Sequence, residues 1–276
     1  MSSNHIGRCA LCGKETELTY EHIPPRKAFN WFPAKTVNGE DYLKSNEEGR
    51  MPWDFSSLPY NNVQRGTGYY SLCKQCNSNT GTWFGDDYVN FVYGFHNFIV
   101  KLQPKSGMRI HVKEAVFRPL PVMKQILSMF CSLNHNSIDT PGIKMLRNFV
   151  LDKATNEFPK ENFRLGMYLL ASGIRRHVKF VVLGRVELSG FKYDVLSEIV
   201  TYPLGFILYL NPDQNLKMPC TDVTFFSDYK YDEECMINFD LPVCECNIMY
   251  PGDFRSKAEI FQCAKDSRIW NEQHEE

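Results

Sequence analysis

A chain of 276 residues and 32.1 kDa, 43% hydrophobic and 23% charged, has apolar content for a real core and suits one large domain or two ordinary ones. No apolar run approaches the ~18–20 residues that cross a bilayer, and the start MSSNHIGRC lacks the apolar stretch of a secretory signal, so the chain is expected to be intracellular and cytoplasmic with no membrane partner. The formal net charge of −1 excludes a strongly basic, charge-driven nucleic-acid binder, although residues 1–110 hold 12 Lys+Arg against 10 Asp+Glu and leave room for a local phosphate-binding face.

The first hundred residues are rich in turn formers and short apolar runs and cannot build a large core unaided. Trp83, Phe84, Tyr88, Phe91, Val92, Phe95, Phe98, Ile99 and Leu102 then recur at spacings of three and four, which predicts a helix ending before Pro104. The Pro, Lys, Ser and Gly of KLQPKSGMR predict a boundary, dividing the chain into residues 1–105 and 106–276. MRIHVKEAVF alternates like a strand, while PVMKQILSMFCSLN and PGIKMLRNFVLDK have helical spacing with Pro in the first turn. From about Phe163, FRLGMYLL, HVKFVVLGRVEL, FKYDVLSEIV, LGFILYL, TDVTFF and CMINFDLPVC read as strands of an antiparallel sheet, so the C-terminal portion is expected to be α+β.

Ten cysteines in a long chain without an export signal favour thiolates on metal over disulfides. Cys9, Cys12, Cys73 and Cys76 form two CxxC pairs, each able to present two sulfurs from one tight turn to a tetrahedral structural zinc. Four sulfurs complete such a shell, which leaves His22 in TYEHIPPRKAF free for other work. The run offers a general base in His22, a hard oxygen ligand in Glu21 and a phosphate-binding guanidinium in Arg26.

The set CALCG, YEHIPP and LCKQCNSNTG, over about residues 8–85, resembles the four-cysteine zinc branch of the HNH, or ββα-metal, endonuclease superfamily. The resemblance implies a zinc-clamped, treble-clef-like ββα-metal module followed by the α+β domain. It implies His22 as the base that activates water, and Glu21 and Asn77 as ligands of a catalytic Mg²⁺ or Mn²⁺. It also implies DNA as substrate, with RNA the alternative, and a setting in prokaryotic anti-phage defence or mobile elements. The C-terminal domain would then recognise a ligand or protein partner, or regulate the nuclease. Four differences from the family pattern stand out: Glu21 in place of Asp, a long 23–72 insertion, Thr67 where a middle Asn is usual (with Asn61 or Asn62 farther back), and Thr80 where a basic residue is usual.

Arg26, Lys27 and Arg65 are further phosphate candidates, with solvation favoured for Lys27. Trp31, Phe32, Trp53 and Tyr60 either stack on bases or pack the module against its neighbour, and packing is favoured. Cys131 is read as core; Cys244 and Cys246, with Cys220, Cys235 and Cys263, either form a second metal site or are buried thiols, the latter favoured. His96 and His111 are read as structural, and Arg175-Arg176-His177 either adds a basic patch or is a solvated start to a strand. GxxxxGK[ST], GxGxxG and GxSxG are all missing, which argues against phosphate-loop, dinucleotide and α/β-hydrolase enzymes. Two other functional readings stay open: a non-catalytic zinc-ribbon-like module that binds nucleic acid or protein, and a ligand-sensing C-terminal domain carrying the zinc module as an appendage.

Overall fold

A computed structural model describes residues 5–45, 50–136, 139–187 and 190–274, so most of the loop-like SNEEGR stretch lies outside the described residues. The chain is mixed α+β. Strands β1 (Ile6–Arg8) and β2 (Glu15–His22) pair antiparallel, and an excursion holding β3 (Ala34–Thr36), helix α1 (Gly39–Lys44) and β4 (Asn61–Val63) precedes β5 (Gly68–Cys73). β5 returns beside β2, giving a three-stranded sheet of order β1-β2-β5. The backbone is then helical from α2 (Lys74–Thr80) through a π-helical turn at Gly81–Gly85 into α3 (Asp86–Leu102). The helix foreseen from Trp83 thus starts nine residues earlier, at the second cysteine pair, and ends where Gln103 takes a left-handed φ of 45°.

Then follow β6 (Arg109–Phe117), α4 (Pro119–Leu133), α5 (Pro141–Leu151), β7 (Phe163–Gly173), β8 (Arg176–Glu187), β9 (Gly190–Val200), β10 (Leu204–Leu210), β11 (Thr221–Asp222), β12 (Cys235–Cys246) and α6 (Lys257–His274). The large sheet has the order β6-β12-β7-β10-β9-β8, with β11 on β7; its pairings are antiparallel except β12 with β7. TDVTFF makes only the two-residue β11. Asp222 accepts a hydrogen bond from the Thr224 N–H at 2.8 Å, a 3₁₀ turn follows, and Phe226 goes into the core.

All fifteen residues of α4 are buried, against α3, α5, β5, β8 and β9. A helix enclosed on every side must be apolar nearly all round, and Leu120, Met123, Ile126, Leu127, Phe130 and Leu133 supply that surface. Lys124 is fully buried too, yet satisfied: its ammonium donates to the Phe149 carbonyl at 2.9 Å and to the Asp152 carbonyl, closing the C-terminus of α5. Rings of Phe91, Phe95, Phe117, Phe226 and Phe239 fasten α3 to the large sheet, with centroids 4.7 Å apart for Phe91–Phe117 and 5.7 Å for Phe95–Phe239. The apolar cluster runs without a break from Cys9 to Val243, across the position of the sequence boundary near residue 105. Asp139 bridges Arg8 on β1 and Arg147 on α5 across the same position.

Some single-residue expectations change. Arg176 is not solvated: its guanidinium lies in the interior with Glu198 at 2.6 Å, and Glu198 also accepts from the Tyr168 hydroxyl at 2.9 Å. His111 is exposed on the edge strand β6, while His96 is structural, bonded to the Tyr202 hydroxyl at 3.0 Å. Cys131, Cys220, Cys244 and Cys246 are buried thiols, whereas Cys235 is only partly covered and Cys263 is exposed on α6, a helix not foreseen.

Burial lowers the Lys124 pKa from its ordinary 10.5 to about 8. Between those values the unfolded chain binds the proton more tightly than the folded one, so this residue's contribution to stability rises with pH across that window. Lys124→Met should cost about 1–3 kcal/mol through the unpaired carbonyls. The gap to the parent should widen from pH 8 to pH 10 in urea unfolding.

Candidate active site and four-cysteine centre

The turn after β1 carries Cys9 and Cys12, with Gly13 at a φ of 72° letting the chain reverse into β2. Cys73 ends β5 and caps α2, and Cys76 sits in the first turn of that helix. The four sulfurs all lie within 4.8 Å of one another, with Cys12 and Cys73 at 3.9 Å. A tetrahedron with ~2.3 Å Zn–S bonds has its sulfurs ~3.8 Å apart. Backbone N–H groups of Cys73 and Cys76 donate to the sulfurs of Cys9 and Cys73 at 3.3 and 3.5 Å. The hydrogen bond from Cys76 pulls the Cys9 thiol down to about 4 and pushes Cys76 itself up, while burial raises Cys12. Four convergent soft donors fit a structural metal such as zinc.

Glu21 and His22 end β2 on opposite faces, as successive strand residues must. Glu21 turns inward opposite Tyr69 and is 7% exposed. No hydrogen bond or ion pair reaches its carboxylate among the described residues, and burial alone raises its pKa to about 8. His22 turns outward and is half-buried, with its partner position taken by Gly68. Its Nε2 lies 3.1 Å from the Arg65 carbonyl. A carbonyl only accepts, so Nε2 carries the proton and Nδ1 is left with a lone pair. Burial and the nearby charge of Arg26 lower the His22 pKa against the raising effect of the Arg65 carbonyl, which keeps the ring neutral near pH 7.

Helix α2 lays Asn77 beside β2: its Nδ2 donates to Thr19 Oγ1 at 2.9 Å, and the carbonyl of Tyr20 is 3.5 Å away. The amide oxygen of Asn77 is therefore the atom left to act as a ligand. Arg26 is exposed on the turn after the Pro pair. Lys27 is also exposed and pairs with Asp86 at 3.5 Å, in keeping with a solvated side chain. Thr80 is buried and folds back on the Cys76 carbonyl at 3.0 Å.

Sequence reasoning missed Asn30. Its buried amide donates to the carbonyls of Pro24 and Thr67 at 2.7 and 2.8 Å and accepts from the Thr67 N–H at 2.9 Å. Those bonds tie the loop after His22 to the start of β5. Asn61 and Asn62 are exposed on β4, paired with β3, and take no part in this tie. The glycines either side of Thr67 are required: a Cβ on Gly66, at a φ of 93°, would meet the Asn30 carbonyl at 1.9 Å, and one on Gly68 would meet the Glu21 carbonyl at 2.0 Å. A polar residue flanked by aromatics in AFNWF was the available signal. Arg175, just before β8, and His177 on β8 reach this region, the former donating to the Phe29 carbonyl at 3.2 Å and the latter facing the Tyr69 hydroxyl at 3.4 Å.

The packing expected for Trp31, Phe32, Trp53 and Tyr60 holds only for Trp53, which is half-buried under Lys257. Trp31, Phe32 and Tyr60 are 38%, 55% and 48% exposed. No protein-family model, curated protein or solved structure matches the chain.

Purified protein should contain one zinc per chain by elemental analysis, and Cys73→Ser should lose the metal together with the helical signal of α2 in circular dichroism. Asn30→Ala, which leaves buried groups unpaired, should lower stability by about 1–3 kcal/mol while retaining the zinc.

Proposed function

We propose that the chain is a metal-dependent endonuclease that hydrolyses phosphodiester bonds of DNA. One observation carries the reading: at the end of β2 a neutral imidazole with a fixed tautomer follows, on the opposite face of the strand, a buried, partnerless carboxylate, and helix α2 brings an amide to the carboxylate's side. A buried carboxylate without a hydrogen bond is costly, and its neighbourhood fits a hard cation held by Glu21 and the Asn77 amide oxygen. When bound, a Mg²⁺ or Mn²⁺ ion supplies charge neutralisation at the scissile phosphate. His22 takes the proton of the attacking water at Nδ1, its Nε2–H anchored on the Arg65 carbonyl so that the ring keeps its direction. Arg26 holds a non-bridging phosphate oxygen, and Asn30 fixes the loop that carries both Arg26 and the end of β2. The C-terminal sheet meets this site through Arg175 and His177, which suits a recognising or regulating role in a defence or mobile-element setting.

A second reading, a zinc module that binds nucleic acid or protein without cutting it, is favoured by the raised pKa of Glu21, which holds the carboxyl protonated at neutral pH in the absence of an ion. A supercoiled-plasmid nicking assay with Mg²⁺ or Mn²⁺ separates the two. The nuclease should nick, His22→Ala should lower the rate about 10²–10⁴-fold, and Glu21→Gln should abolish the metal dependence. A zinc-loaded parent as inert as His22→Ala removes the catalytic reading.

A further inference from the structure

An unusual concentration of exposed rings lies one turn of chain beyond the candidate base. Phe29, held at a φ of 60°, packs against Tyr93, His96 and Tyr202 with ring centroids 4.7, 4.6 and 5.6 Å away. Trp31 leans on Phe29 at 5.9 Å, and Phe32 on Trp31 at 5.2 Å. The series is packed at its inner end and open at its outer end, where Phe32 is 55% exposed. Isolated exposed apolar side chains are ordinary on protein surfaces. A Trp-Phe pair mounted on a half-buried aromatic base is a surface that a flat partner can extend.

The charge around it specifies that partner. Residues 22–38 contain Arg26, Lys27 and Lys35 and no Asp or Glu, and residues 55–85 contain Arg65 and Lys74 and no Asp or Glu, in a chain whose net charge is −1. Arg175, just before β8, joins them by its bond to the Phe29 carbonyl. Asn30, next to Trp31, is bonded to Thr67, and Thr67 precedes the Gly68 that pairs with His22. Those steps place the backbones of His22 and Trp31 on the order of 10–15 Å apart. Aromatic faces in a stretch where, among the described residues, Lys27 is paired with an acid (Asp86, 3.5 Å) and Arg26, Lys35 and Arg65 are not, suit a strand whose phosphates are negative and whose bases are free to stack. A duplex keeps its base faces covered and offers nothing to Trp31.

We propose that Trp31 and Phe32 are a stacking platform for unpaired bases of single-stranded DNA, and that the strand reaching His22 is therefore unpaired. The inference rests on the nuclease reading for its site and adds the substrate class. The test is fluorescence anisotropy of full-length, zinc-loaded His22→Ala protein with a labelled mixed-sequence oligonucleotide, its duplex and the matching RNA, without Mg²⁺ or Mn²⁺. Single-stranded DNA should bind at least tenfold more tightly than the duplex, and quench the fluorescence of Trp31. In the same background Trp31→Ala, and separately Phe32→Ala, should weaken single-strand binding roughly 5- to 150-fold, as the loss of one base stack does. Neither should change the slope of log affinity against log salt. Arg26→Ala should reduce that slope by about one. Thermal unfolding and zinc content identify any variant that fails to fold, and Trp31→Phe, which retains a ring, should keep most of the affinity. Equal binding of duplex and single strand, tighter binding of RNA than of DNA, or unchanged affinity in both folded Ala variants overturns the proposal. Because binding is read without cleavage, a chain that grips single strands through Trp31 and cuts neither plasmid nor single-stranded DNA counts against the nuclease reading alone.

Discussion

The four-sulfur centre is the constraint on which the rest depends. Cys73 is at once the end of β5, the cap of α2 and a ligand candidate, so one residue joins the small sheet, the helix and the metal position. From there the backbone stays helical to Leu102 and delivers Phe91 and Phe95 to Phe117 and Phe239 of the large sheet. A short sheet with few apolar residues gains through this rod a share in a core it cannot make. Lose the sulfur cluster and the angle of the helix to β2 is no longer fixed, and with it the position of Asn77 over Thr19.

Much of this was legible in the sequence. The CxxC spacing located the sulfur cluster, because two thiolates from one tight turn is a local geometry. Periodicity found α3, α4 and α5 and nearly all the strands of the large sheet for the same reason. TDVTFF failed because an Asp that bonds to the backbone two residues on competes with strand pairing, a preference that apolar alternation does not register.

What was not legible depends on contacts between distant residues. Asn30 and Thr67 are 37 positions apart, and neither has a local pattern that announces the other. The exposure of Trp31 and Phe32 and the enclosure of α4 are set by what other parts of the chain do or do not lay against them. At the candidate site the Glu-His adjacency could be read directly. The tautomer of His22 could not, since it is set by a carbonyl 43 residues away.

The interior pair Arg176–Glu198 sits where β8 and β9 run together, with neighbours on either side that point the other way: Arg175 toward Phe29 and His177 toward Tyr69. Sliding β8 by a single position would exchange these directions, drawing Arg175 or His177 into the cavity that Glu198 occupies and sending Arg176 outside. A charge stranded in that way costs several kcal/mol. The ion pair therefore works as an alignment pin: by forbidding the slipped arrangement, it dictates which side chains the C-terminal half can hold out to the N-terminal one.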